Sequence, residues 1–125
     1  MSEERRQNTG EAEQHIDRKI GLTYAGDDEA FYQQLIEIYV RQASEKILLL
    51  EKAYAAGDLR AYTVQVHGIK SNAKMIGAMK LADLAFELEK AGKEGKLELI
   101  RENQRPFMKE FVKVLEETKK ISGQK

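Results

Sequence analysis

His67, Lys70, Ser71 and Lys74 stand at i, i+3, i+4 and i+7, the spacing that puts four side chains on one stripe of a helix. Taking Val66 as zero and turning about 100° per residue, His67 falls near +100°, Lys70 near +40°, Lys74 near +80° and Ser71 near +140°. An apolar seam lies beside them, centred near about −30°. An imidazole in that position is solvated on at least one nitrogen, and its neutral form carries a nucleophilic lone pair that can attack phosphorus. Two ammonium groups within one or two turns can contact phosphoryl oxygens and stabilise the phosphorylated product. Gly68 beside the histidine and Ser71 one turn on leave little bulk, so another protein's active site could close over the ring. A lone helical histidine is more often an ordinary surface residue, and lysines three and seven residues on are common on solvated faces. The chemistry therefore rests on the combination.

The elements that must hold this stripe all read as helix. Apolar residues recur at spacings of three and four, no segment alternates with the period of a strand, and Pro106 is the only proline. Glu11 to Lys19 reads as a short helix stopped by Gly21. Asp27 and Asp28 offer an N-cap before Phe31, Leu35, Ile38 and Tyr39, and the pattern continues through Ile47, Leu50 and Tyr54, with a change of direction near Ala43 or Ser44. Gly57 and Asp58 are a stop and a start. The helix that follows has the seam Leu59, Tyr62, Val66, Ile69, Ala73 and Ile76, and ends at Gly77. Leu81, Leu84, Leu88 and Ala91 form the next, closed by Gly92 with Gly95. Ile100, Phe107, Phe111, Val114 and Leu115 form the last, which Pro106 is expected to kink or restart. Short connections between such helices favour antiparallel neighbours. The expected fold is all-α: an antiparallel up-and-down four-helix bundle over residues 16–121 with an N-terminal helical extension, preceded by a polar tail over residues 1–15.

Composition removes several rival chemistries. At 125 residues the chain suits one domain. It has no cysteine, hence no disulfide, thiolate nucleophile or cysteine-ligated metal, and a cytoplasmic location is expected. Lys plus Arg and Asp plus Glu are equal at 21 each, so no global basic field would draw nucleic acid. No stretch approaches the ~20 apolar residues of a membrane span. Neither His15 nor His67 has a glutamate three residues before it, as a di-iron bundle requires. His15 is expected to be a surface side chain. Gly92-Lys-Glu-Gly95 fits no phosphate-binding loop, so no nucleotide site is read here.

The run His67-Gly-Ile-Lys70-Ser71-Asn-Ala73-Lys-Met-Ile-Gly77-Ala, followed by Leu81 and by Leu88-Glu89, resembles the signature of the histidine-containing phosphotransfer (Hpt) family. Ile16-Asp17, Gly21-Leu22, Gly26-Asp27 and Ala56-Gly57-Asp58 extend the resemblance over nearly the whole chain, and Ser71 stands where the family often has glycine. The resemblance implies that His67 accepts a phosphoryl group from a receiver-domain aspartate and passes it to another receiver. Lys70 would be its electrostatic partner, joined by Lys74, while Gly68, Ser71 and Gly77 would serve partner docking, with Ile69 and Met75 beside them where exposed. The partners implied are receiver domains of response regulators or hybrid histidine kinases. No cofactor of its own is implied, since Mg²⁺ belongs to the receiver, and the expected state is a monomer. Two other readings are a helical interaction bundle whose histidine carries no phosphate, and the phosphate-accepting domain of a chemotaxis-type kinase.

Overall fold

Three aspartates decide where the first helices begin. Asp17 accepts from the backbone N–H groups of Lys19 and Ile20 at 3.0 and 3.4 Å and opens α1 (Arg18–Tyr24). Asp28 accepts from Phe31 at 3.0 Å to open α2 (Glu29–Ala56), and Asp58 accepts from Ala61 at 3.1 Å to open α3 (Leu59–Ile76). Each carboxylate satisfies a donor that the first turn leaves without an intrahelical partner. α4 (Met79–Glu94) and α5 (Leu97–Ser122) begin without a side-chain cap. The computed structural model describes residues 14–123, and among them there is no strand.

The four long helices are joined by two-residue connectors at 57–58, 77–78 and 95–96, each of which reverses the chain. The register shows it: His67 and Glu89, eleven residues either side of Ala78, are in hydrogen-bond contact. α2 packs on α3 and α5, α4 packs on α3 and α5, and α1 lies against α3 and α2. The result is an antiparallel four-helix bundle with an N-terminal extension. Tyr32, Ile36, Leu50, Tyr62, Val66, Ile69, Leu81, Leu88, Phe107 and Phe111 are fully buried along its axis. Ile16 and Ile121 also pack on this core. Among the described residues no helix is long and apolar enough to cross a membrane.

Several expectations are corrected. The part of the Glu11–Lys19 helix over residues 11–13 lies outside the described residues, and residues 14–17 are not helical. The short helix is Arg18–Tyr24, and it runs through Gly21 instead of stopping there. A Cβ at Gly21 would strike the Tyr32 ring and the Ile76 carbonyl, so this glycine lets α1 approach α2 and α3. α2 does not break near Ser44. Its buried residues Ile36, Val40, Ala43, Leu50 and Ala53, with half-buried Ile47, keep three- and four-residue steps on both sides of that point. Its core face also differs by one position from the expected stripe, since Tyr32 and Ile36 are buried while Phe31 and Ile38 are exposed. α5 continues through Pro106. The carbonyl that loses its donor belongs to Glu102, and both residues are exposed, so water can take the place of the missing bond.

His15 is not a free surface side chain. Its ring Nδ1 lies 2.8 Å from Glu110 Oε2 on α5, and its backbone N–H donates to Glu117 Oε1 at 2.8 Å. Glu110 is buried, with Lys80 Nζ 3.8 Å from its other oxygen. These contacts fasten the segment before α1 to the last helix.

Candidate functional site

α3 presents His67 outward with 58% of its side chain exposed. Behind it α4 places Glu89, whose side chain is only 6% exposed. Gly92, one turn beyond Glu89, explains how the helices come this close: a Cβ there would collide with Thr63 Oγ1 on α3. Glu89 Oε2 lies 2.7 Å from His67 Nδ1 and 3.3 Å from Lys93 Nζ, and Oε1 lies 2.7 Å from Lys70 Nζ. The Lys70 ammonium also sits 5.6 Å from the centre of the exposed Phe86 ring.

Charge settles the ionisation of Glu89. Burial pushes the Glu89 carboxyl up, but the Lys70 ammonium against it, the hydrogen bond with His67 and the Lys93 ammonium outweigh it and hold the group at about 2. Glu89 is therefore ionised at neutral pH and can only accept hydrogen bonds. His67 Nδ1 must then carry the hydrogen in this contact. The neutral ring is held as the Nδ1–H tautomer, with the lone pair on Nε2 at the exposed edge. One nitrogen is occupied by the fold and the other is free for an electrophile.

The structure brings together only part of what the stripe suggested. His67 and Lys70 meet through Glu89. Lys74 is exposed in the last turn of α3, where its charge complements the helix C-terminus, and it takes no part in the Glu89 cluster. Lys93 on α4 is the second cation beside the histidine. Ser71 is exposed and Gly68 half-buried on the outer face of α3, and a Cβ at Gly68 would meet nothing within 4 Å. Gly77, expected at the docking surface, is buried instead. It ends α3 with φ +86°, its carbonyl accepts from Asp17 N at 2.8 Å, and a Cβ there would strike the Asp17 backbone. Its glycine serves the seat of the N-terminal segment. Ile69 is likewise buried in the core, while Met75 is exposed.

Glu89 and Lys93 were not singled out by the stripe on α3. Glu89 was visible only as the second half of the Leu88-Glu89 pair. The signal that could have found it is angular: Glu89 projects within the arc spanned by Ala82 and Leu88, both buried, and a carboxylate inside an apolar arc calls for cations.

The Hpt domain family model matches residues 34–119, a segment that contains His67, Lys70, Glu89 and Lys93. Among solved structures, the chain is similar to the crystal structure of histidine-containing phosphotransfer protein B (HptB) from Pseudomonas aeruginosa PAO1. The two share 26% identity with a TM-score of 0.76, over 87% of this chain and 95% of that one. The search of curated proteins gives no match.

Proposed function

This chain belongs to the Hpt domain family, with a histidine phosphotransfer role in a phosphorelay, and we propose that His67 is the histidine that carries the phosphoryl group. The observation that supports this most is the division of the ring: Nδ1 is held by Glu89 while Nε2 stands at an exposed edge. Nε2 attacks the phosphorus of a receiver's aspartyl phosphate. The N–P bond forms, the P–O bond to the aspartate breaks, and the carboxylate leaves with the bond's electron pair. No proton has to move, because the product ring keeps its Nδ1 hydrogen and gains a positive charge that faces ionised Glu89. Transfer to a second receiver is the reverse step. Lys70 and Lys93 are within reach to contact the phosphoryl oxygens, each by exchanging part of its contact with Glu89.

Hpt domains are phosphoryl carriers rather than kinases. For this chain we read a monomeric carrier without kinase activity of its own, whose receiver partner supplies Mg²⁺. We place it in the cytoplasm, in keeping with a sequence free of cysteine. The test is to mix wild type and His67→Gln with receiver domains charged by acetyl phosphate in Mg²⁺. Acid-labile, base-stable label on wild type and none on the variant is the expected result. Equal label on both, or none on wild type across a broad receiver panel, overturns the assignment.

A further inference from the structure

The two lysines that meet Glu89 are held in different ways. Lys70 Nζ lies 2.7 Å from Oε1, its side chain is 16% exposed, and the ammonium stands over the Phe86 ring, 5.6 Å from the centre. A cation enclosed by a buried carboxylate on one side and an aromatic face on the other loses both contacts if it moves. Lys93 Nζ lies 3.3 Å from Oε2, and its side chain is 68% exposed. Water already surrounds most of that ammonium, so it can leave Glu89 with little loss.

The oxygens they use differ as well. Oε1 serves Lys70, whereas Oε2 is shared by Lys93 and by His67 Nδ1, which stands nearer at 2.7 Å. A phosphoryl group on Nε2 turns the ring into a cation. Its Nδ1–H then makes a charge-assisted hydrogen bond to Oε2, about twice as strong as the neutral one. The ring's new charge also repels the ammonium that shares this oxygen. At the same time the phosphoryl group brings about two negative charges to the exposed edge of the ring. His67, Glu89 and Lys93 line one open groove, while Lys70 lies outside it, so the path from carboxylate to phosphoryl group is open to Lys93.

We propose that the two cations divide the work: Lys70, clamped between Glu89 and the Phe86 ring, stays as the fixed counter-ion of the carboxylate, while Lys93 exchanges Glu89 for the phosphoryl oxygens once His67 is phosphorylated. Phe86 is thereby a positioning residue that acts through Lys70, and Lys93 is the side chain that binds the phosphoryl group. The proposal rests on the reading that His67 is the phosphate carrier. Its consequence is a setting of the relay. The Lys93 contact exists only in the phosphorylated protein, so it stabilises phosphohistidine relative to the receiver's aspartyl phosphate.

Phosphoramidate, a small phosphodonor, phosphorylates the histidine without docking, and NMR spectra of the lysine ζ-nitrogens are compared before and after. The Lys93 signal, identified by its loss in Lys93→Gln, is expected to shift on phosphorylation, and the Lys70 signal to stay. In Phe86→Leu the Lys70 signal shifts as well, whereas Phe86→Tyr behaves as wild type. The equilibrium constant for phosphoryl exchange with a receiver is a second readout, and the strength of docking does not enter it. It is expected to move toward the receiver by about fivefold or more in Lys93→Gln and to stay near wild type in Lys93→Arg. The phosphoryl group of Lys93→Gln, followed by phosphorus NMR, should take up its last proton at a higher pH than that of wild type, because a nearby ammonium favours the dianion. An exchange equilibrium unmoved by Lys93→Gln, a Lys93 signal unmoved by phosphorylation, or a Lys70 signal that shifts in wild type overturns the division while leaving the carrier reading intact. Phe86→Leu indistinguishable from wild type overturns the clamp and the division with it. Wild type that phosphoramidate cannot label overturns the carrier reading and the proposal together.

Discussion

The Glu89 carboxylate meets His67 Nδ1 at 2.7 Å from a side chain that is 6% exposed, so a buried acid on one helix sets which nitrogen of an exposed histidine is free on the next. Because that acid also holds Lys70 and Lys93, one residue fixes the tautomer and collects the cations.

Glu89→Gln and Glu89→Leu separate the two duties. Glutamine can still accept the Nδ1 hydrogen through its carbonyl oxygen, so phosphoramidate labelling of His67 is expected to stay within about threefold of wild type. Leucine cannot, and it leaves Lys70 without its counter-ion, so labelling drops by about tenfold or more. Long-range nitrogen–hydrogen NMR spectra of the ring report the tautomer directly. An unchanged tautomer ratio in Glu89→Leu would refute the role given to the carboxylate.

Acid should weaken the fold through the same residue. A carboxyl held at about 2 instead of its ordinary 4.5 is deprotonated more readily in the folded than in the unfolded chain. Its contribution is therefore fully present above pH about 4.5 and is lost as pH falls toward 2. Urea midpoints at pH 6, 4 and 3 are expected to fall less steeply for Glu89→Gln than for wild type. Parallel slopes would show that the acid sensitivity lies elsewhere.

Gly68 is a place where the bundle alone does not ask for glycine. A Cβ there meets nothing within 4 Å, and glycine inside a helix costs about 0.5–1 kcal/mol relative to alanine. Gly68→Ala is accordingly expected to raise stability by that amount. Gly68→Gln should fold and accept phosphate from phosphoramidate normally, yet slow transfer from a receiver by about tenfold, because its bulk holds the reacting atoms apart. Normal receiver transfer in Gly68→Gln would remove the docking role.

Two buried tyrosines should respond oppositely to loss of their hydroxyls. The Tyr32 hydroxyl donates to the Ile76 carbonyl at 3.1 Å, at the end of α3, whereas the Tyr39 hydroxyl has no partner among the described residues. Tyr32→Phe strands a buried carbonyl lone pair and is expected to cost about 1 kcal/mol. Tyr39→Phe removes an unsatisfied buried group and should be neutral or stabilising by up to about 1 kcal/mol. Thermal or urea unfolding of the two variants decides it.

The seams of α3, α4 and α5 were legible because Val66, Leu88 and Phe107 sit on faces whose apolar spacing has one solution. Asp28 and Asp58 were legible as caps because an aspartate before an apolar run has a local job. What escaped needed a neighbour from another helix. Ser44 looks like a cap until the buried residues on either side of it are seen to share one stripe. Gly77 looks like a docking residue until Asp17 is found against it. Glu89 is an ordinary acid until α3 brings His67 and Lys70 over it. Lys74 is suggested by its spacing along α3, while Lys93 arrives across the helix pair, which no spacing within one helix reveals.

The His15 contacts with Glu110 and Glu117 join residues 95 and 102 positions apart. Most of the bundle is built from helices that follow one another directly, which are quick to find each other during folding, whereas this clasp joins the first described residues to the last helix. A clasp between such distant residues is expected to form late in folding and to open early. The amides around Ile16 should exchange with solvent well before those of α3, so the two ends of the molecule can part and rejoin without disturbing the histidine face.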